Sequence, residues 1–314
     1  MFLAKSPFLP DARLLTELFQ RKRYERIKQM EERGFVRQWF LLAGRAEKTS
    51  CLNPRPGGLN KLLPPEDRIW ADPFLWKRGD DFYLFCEEWI YSRPHGHISV
   101  MRLAKDGSEV SSPVPVLTAA HHLSYPFLFE YEGDLHMLPE AGAGRSLDIY
   151  RCEEFPERWR KRATLMQNLR YADATMFARQ GKWWLFVTIK HGLFALSRDL
   201  FVFSADSPFA DHWSAHPRNP VVRGFSQARP AGALFELDGR LFRPSQNCLI
   251  RYGHSLRINE ITRLDEKHYE ERLVTEVRPD WESGIRAVHH LDWREDMLVM
   301  DTQRLLPARK TAGR

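Results

Sequence analysis

The sequence predicts an all-β chain folded as a five-bladed β-propeller with a short N-terminal helical extension, and three observations carry that prediction. A pair of apolar strands around a polar turn recurs as "ADPFLWKRGDDFYLF" (71–85), "SYPFLFEYEGDLHML" (124–138), "YADATMFARQGKWWLF" (171–186), "RPAGALFELDGRLFR" (229–243) and, more weakly, "RAVHHLDWREDMLVM" (286–300). The turn glycines Gly79, Gly133, Gly181 and Gly239 return about every fifty residues, close to the ~40–50 residues of a four-stranded blade. The segments that follow also match. "LDIYRCEEFPERW" and "LFVFSADSPFADHW" each run from a strand through an acidic, Pro-containing turn to a Trp.

Residues 1–36 stand outside the repeat as a helical extension. Within them, 11–33 read as an amphipathic helix with Leu14, Leu15, Leu18 and Phe19 on its apolar side. Arg21, Lys22, Arg23, Arg26 and Lys28 make the remainder basic. That is the solvated face of a helix docked on the propeller, or a contact for a membrane surface or an acidic protein. Next, "RQWFLLAGR" (37–45) is a strand suited to close the ring by completing the last blade. "GHISVMRL" (96–103) and "YGHSLRI" (252–258) read as third strands of blades one and four. The propeller is expected over 37–305, with 306–314 a flexible tail.

Composition sets the class. With 314 residues, 43% hydrophobic and 12% aromatic, the chain can bury a large core. Lys plus Arg (47) over Asp plus Glu (41) leaves +6 without a single basic tract, a mild preference for anionic partners and no support for nucleic acid. The opening "MFLAKSPFLPDARLL" lacks a basic region followed by an apolar run, and no stretch approaches the ~18 apolar residues of a membrane span. A soluble, cytoplasmic protein is expected. Cys51, Cys86, Cys152 and Cys248 lie far apart without C-x-x-C spacing, which argues for free thiols rather than a zinc or redox site. No cofactor is expected.

The innermost strand of each blade lines the central channel, so residues at matching positions converge. Asp72, Tyr125 and Asp173 precede Asp80, Gly133 and Gly181 by equal intervals, and the corresponding stretches of blades four and five offer Arg229 and His289 or His290. The ends of the second strands add Glu87, Glu88, Glu140, Lys190, His191, Gln246 and Asn247, with Trp70 or Trp89 to stack on a sugar face. Convergent carboxylates can serve glycosidic chemistry, one as base and one as acid. The alternative is that Asp72 and Asp173 only bind backbone at strand starts. Neighbouring strand residues face opposite ways, so His121–His122 and His289–His290 each give at most one inward ligand. Channel hydrogen bonding, and no metal, is expected of them.

"WADPF", "YLFCEEW", "MLPEAG", "YADATMF", "ARPAG" and above all "FRPSQNCLIRYGHSLRINEITRLDEKHYEE" (242–271) resemble the N-terminal propeller domain of plant glucosamine inositolphosphorylceramide transferases and their free-standing bacterial relatives, over about residues 37–305. In the plant enzymes the resemblance implies sugar transfer in a separate C-terminal domain, which does not follow in these residues. The propeller domain is itself similar to glycoside hydrolase family 43, whose members use an Asp base in blade one, an orienting Asp in blade three and a Glu acid in blade four. Carried over, Asp72 is the base and Asp173 the orienter. The blade-four stretch "QARPAGALF" offers Arg229 and no Glu, which leaves Glu140 or Glu88 to act as acid. The planar fork of Arg229 suggests an anionic substrate group.

Two functions follow as expectations. The first is a carbohydrate-active enzyme that cleaves or transfers a glycosyl unit of a surface-glycan, lipid-linked or nucleotide-sugar intermediate. Asp72, Asp173 and Glu140 would be catalytic, with Trp70, Glu88, Lys190, His191, Arg229, Gln246 and His289 holding a glycan or sugar-phosphate ligand. The second is a non-catalytic glycan-binding module serving polysaccharide or glycolipid assembly.

Overall fold

The structure is a computed structural model that describes residues 12–190 and 198–308. Helix α1 (Ala12–Glu31) leads into β1 (Phe35–Arg45) and β2 (Asn60–Leu62). Blade one is β3 (Arg68–Arg78), β4 (Asp81–Ile90), β5 (His97–Leu103) and β6 (Val114–Leu117); blade two is β7 (Ser124–Tyr131), β8 (Asp134–Glu140), β9 (Ser146–Glu154) and β10 (Arg158–Gln167). Blade three comprises β11 (Tyr171–Arg179), β12 (Lys182–Ile189), β13 (Asp199–Ala205), β14 (Ser214–Ala215) and β15 (Val222–Arg223). Blade four comprises β16 (Arg229–Pro230), β17 (Phe235–Leu237), β18 (Arg240–Asn247), β19 (Ser255–Leu264) and β20 (Tyr269–Val277). Blade five joins β21 (Ile285–Ala287), β22 (Leu291–Arg294) and β23 (Met297–Pro307) to β1 and β2. This is the five-bladed propeller expected from the repeats.

The ring closes through β1, which pairs antiparallel with β23 from Phe35 opposite Pro307 to Arg45 opposite Met297. Because β1 has β23 on one edge and β2 on the other, it is an interior strand. Its Phe40, Leu41, Leu42 and Ala43 are accordingly buried on both faces. Apolar layers between blades hold the ring: Phe74, Phe127, Met137 and Leu185 lie in one cluster, Phe186, Leu200 and Leu241 in the next.

The inner hairpins turn as the repeats suggest. Glu132–Gly133, Gln180–Gly181 and Asp238–Gly239 are two-residue turns in which both residues have positive φ. That geometry matches the twist of the strands it joins, and a Gly at the second position carries it at no steric cost.

A second repeated feature shapes the channel. The inner strand slips register between Ala71 and Phe74, between Ser124 and Phe127, and between Ala172 and Thr175. At each slip one residue adopts a left-handed backbone: Asp72 (φ 51), Tyr125 (φ 47) and Asp173 (φ 52). Such a bulge costs about 1–3 kcal/mol per non-glycine residue, and it re-aims the side chain it carries. In blade four the slip splits the inner strand into β16 and β17, around Gly232. A Cβ on that glycine would lie 1.9 Å from the Leu291 carbonyl oxygen.

Helix α1 docks on blade four through only part of the apolar side expected of it. Leu18 packs against the cluster of Phe225 and Cys248, as Leu249 does, and Arg21 lies 4.4 Å over the Phe225 ring while donating to the Cys248 carbonyl. Leu15 and Phe19 of the same expected apolar side are exposed, so that side docks only in part. The side chain of Leu14 lies outside the described residues. No described helix is long and apolar enough to cross a membrane.

Candidate active site

The bulges deliver their side chains to one point on the ring axis. Tyr125, fully buried, meets every blade there. Its ring packs edge-on against Phe74 (5.0 Å) and His290 (5.3 Å), and its hydroxyl bonds Thr175 Oγ1 (2.7 Å) and the Gly232 amide (3.0 Å). Tyr125 therefore closes the channel rather than lining an open bore.

Asp72 sits beside this plug, 3% exposed. Its Oδ1 has no hydrogen-bond partner among the described residues and lies 3.7 Å from His289 Nε2 and 3.6 Å from His290 Nδ1. Burial pushes its carboxyl up to about 7, against the pull of His289. Asp301 organises these neighbours. It accepts His289 Nδ1 at 2.7 Å and the backbone amides of Asp72, His289 and His290 at 3.0, 3.1 and 3.0 Å. Burial opposes charge on both partners, but each favours it in the other, so Asp301 stays below the carboxylate range and His289 above the imidazole range. His290 is driven down to about 3 by burial and remains neutral. The His289 ring is fixed by stacking on Trp39 (4.1 Å) and by the edge of Tyr252 (5.1 Å).

Across the channel, Arg229 grips Asp173 with both arms of its fork, Nε to Oδ2 at 2.5 Å and Nη2 to Oδ1 at 3.2 Å. Gln246 adds a bond to Asp173 Oδ2 at 3.1 Å. Glu140 Oε2 lies 3.5 Å from Arg229 and accepts the Asp173 amide at 3.1 Å. Two acids thus share one guanidinium and titrate as a unit. Burial disfavours charge on both. Arg229 overcomes it at Glu140, which lies below its ordinary range, while Asp173 is held above. Lys190, just past β12, adds its charge beside Glu140.

The third corner holds Glu87 and His122. The His122 Nε2 approaches Glu87 Oε1 at 3.2 Å, and its Nδ1 accepts the Gly96 amide at 3.0 Å. The backbone comes close here: a Cβ on Gly96 would fall 2.8 Å from His122 Cε1. Burial lowers the His122 pKa, but Glu87, Glu140 and Asp72 together raise it above the ordinary value. Trp89 packs edge-on to His122 at 5.6 Å, and both Trp89 and Tyr252 expose more than a third of their surface at the rim.

Asp72, Asp173, Glu140, Arg229, Gln246 and His289 are thus brought together. Three expectations need correction. Glu88 points to the opposite face of β4 from Glu87 and is consumed by Trp70 Nε1 (3.2 Å), Ser99 Oγ (2.8 Å) and Arg68 Nη1 (3.0 Å). Burial would raise it, yet these partners and His97 hold it down to about 2. Trp70 is buried in the blade core, whereas Trp89 stays open at the rim. Arg229 spends its fork on Asp173 and lays its guanidinium over Tyr252 at 4.9 Å, which removes the reason to expect an anion there. His191 lies outside the described residues. Sequence reasoning missed Asp301 and Tyr252, which no local motif marks; for His122 the expected channel hydrogen bonding is seen.

Asp72, His289 and Asp301 also bring one ligand atom each within 4.8 Å of one another, close enough to share a cation. Asp301 already accepts four donors, which leaves two free ligands, His289 Nε2 and Asp72. Two are few for a metal site and suit proton exchange better.

Comparison with known proteins bears on the same residues. The family described as "Glucosamine inositolphosphorylceramide transferase 1, N-terminal" matches residues 65–301, a span that holds every charged residue of the site. Glucosamine inositolphosphorylceramide transferase 1 of Oryza sativa subsp. japonica is 33% identical over 254 residues, 77% of this chain and 33% of that protein. The Arabidopsis thaliana protein of that name is 31% identical over 246 residues, 75% and 31% of the two chains. The chain spans about a third of the length of these relatives. Among solved structures, the catalytic domain of a Coprinopsis cinerea GH62 alpha-L-arabinofuranosidase aligns at TM-score 0.57 and 11% identity, covering 76% of this chain and 93% of its own. Native Bacillus subtilis arabinanase aligns at TM-score 0.52 and 11% identity, covering 74% and 93%. These two likenesses concern the fold alone.

Proposed function

The chain belongs to the family of glucosamine inositolphosphorylceramide transferase 1 N-terminal domains, and from that premise we propose that its funnel takes up a glycosyl unit of a surface-glycan, lipid-linked or nucleotide-sugar intermediate and cleaves or transfers it. One observation carries the catalytic part: Asp72, a buried carboxyl at about 7 with one oxygen unpartnered, on a strained backbone at the end of the channel. A group with that pKa can both take and give a proton near neutral pH. The Asp301–His289 pair holds a positive ring beside it and stabilises its ionised form. Glu140, kept ionised by Arg229, is suited to stabilise positive charge on a sugar ring rather than to donate a proton. Trp89 and Tyr252 offer apolar faces for the sugar at the rim.

The second reading, a glycan-binding module, draws on a different observation: Asp173 is locked by Arg229 and Gln246, and the blade-four inner strand brings Arg229 rather than an acid to the site. A mass-spectrometric screen of glycans, lipid-linked sugars and nucleotide sugars separates the two. Turnover by the wild type that Asp72→Asn lacks supports catalysis; retention of unchanged glycan by both supports the module. A cytoplasmic address belongs to this proposal too and is tested by cell fractionation.

A further inference from the structure

The turn that carries Tyr252 to the funnel rim has a second side. There, where blade four hands over to blade five, a separate cleft of about 290 Å³ is lined by Arg251, His254, Arg278, Asp280 and Arg286. Arg251 is its buried wall, 8% exposed. Its guanidinium lies 4.9 Å over the Tyr24 ring of α1 and donates from Nη2 to the Tyr24 hydroxyl, but its Nε and Nη1 meet no acceptor among the described residues. His254 Nδ1 is likewise buried without a partner there. Glu276, an acid of blade four, is engaged by Asn247 (2.8 Å), Ser255 (2.6 Å) and Arg257 (3.2 Å) and comes no closer to Arg278 than 3.9 Å.

Three arginines and one aspartate line this cleft, and the buried N–H groups that Arg251 leaves without acceptors among the described residues are costly. A larger cleft of about 470 Å³ at the outer turns contrasts with the state of Arg251: there Arg45 pairs with Asp296, Lys77 with Glu295 and Lys105 with Asp80. His254 responds to the local field, since burial and then Arg251 hold it below its ordinary range.

We propose that the cleft of Arg251, Arg278 and Arg286 binds a phosphate group. A tetrahedral phosphate offers several acceptor oxygens and up to two negative charges to guanidinium forks arranged around it, more than a carboxylate can. The site goes beyond the funnel and needs no glycosyl chemistry. Arg251 and Tyr252 are consecutive, so phosphate and funnel ligand would be held by two sides of one turn.

The test is calorimetric titration of the full chain with inorganic phosphate and with a nucleoside diphosphate, and flotation with phosphatidylinositol vesicles. Saturable binding that weakens with added salt and falls about tenfold in Arg278→Gln is the expected result. Arg278 is two-thirds exposed, so its loss leaves the core intact, and an unchanged melting curve verifies this. Vesicle binding displaced by phosphate identifies a lipid phosphodiester as the source; response to the soluble ligands alone identifies a free phosphate ester. Absence of saturable binding by all three probes, or equal affinity in Arg278→Gln and Arg286→Gln, overturns the site. Because the readout is phosphate alone, its failure is distinct from a failure of glycan turnover.

Discussion

Arg229 and Asp173 form a two-armed ion pair across blades four and three, with Asp173 1% and Arg229 11% exposed at the side chain. A pair so buried is sensitive to loss of one partner. Arg229→Met should cost about 3–5 kcal/mol in urea unfolding, because it strands a buried carboxyl. The double change Arg229→Met with Asp173→Leu should recover much of that loss. Equal destabilisation by the single and double variants would contradict the pairing.

Asp72 should leave a pH signature. Its folded carboxyl sits at about 7, above the unfolded value of about 4. Between those values the folded chain binds more protons than the unfolded one, so stability falls as pH rises through this window. Asp292, also raised to about 7, slopes the same way in both proteins and cancels in the comparison. Asp72→Asn should therefore gain on the wild type from pH 4 to 7 in melting temperature while losing turnover or binding. A constant difference across that range would refute the raised pKa.

Glu87 and Glu88 are neighbours with opposite duties. Glu88→Gln should lower stability by about 2 kcal/mol, since it weakens the hydrogen bonds that Arg68, Trp70 and Ser99 donate to the carboxylate. Glu87→Gln, which faces His122 in the funnel, should leave unfolding nearly unchanged and impair glycan turnover or retention. Thermal melts and the glycan screen read both.

Removing residues 1–45 takes away β1 and leaves β23 as an open edge from Met297 to Pro307. Open edges recruit other chains, so this truncation should aggregate in size-exclusion chromatography. Removing only 1–33 strips α1 from Phe225 and Arg251 and should be milder. A soluble 1–45 deletion with unchanged melting would contradict closure through β1.

The propeller was legible because its repeat is written in the turns and in paired apolar strands, and its closing strand stood out as one strand too many before the first blade. The convergence of Asp72, Tyr125 and Asp173 was legible for the same reason. The choice between Glu87 and Glu88 was not, because which neighbour faces the channel depends on a register slip between Ala71 and Phe74 that no residue type announces. Nor was the partner of Arg229. A hydrolase pattern with one acid replaced by an arginine reads as a changed substrate, whereas the structure turns that arginine inward onto Asp173. The exposed Leu15 and Phe19 escaped for a related reason: helical periodicity shows that a face exists, not how much of it docks.

Tyr125 touches all five blades and stoppers the axis, and this gives the funnel a single door. A ligand that reached Asp72 past Trp89 and Tyr252 would meet the Tyr125 ring and leave by the side it entered.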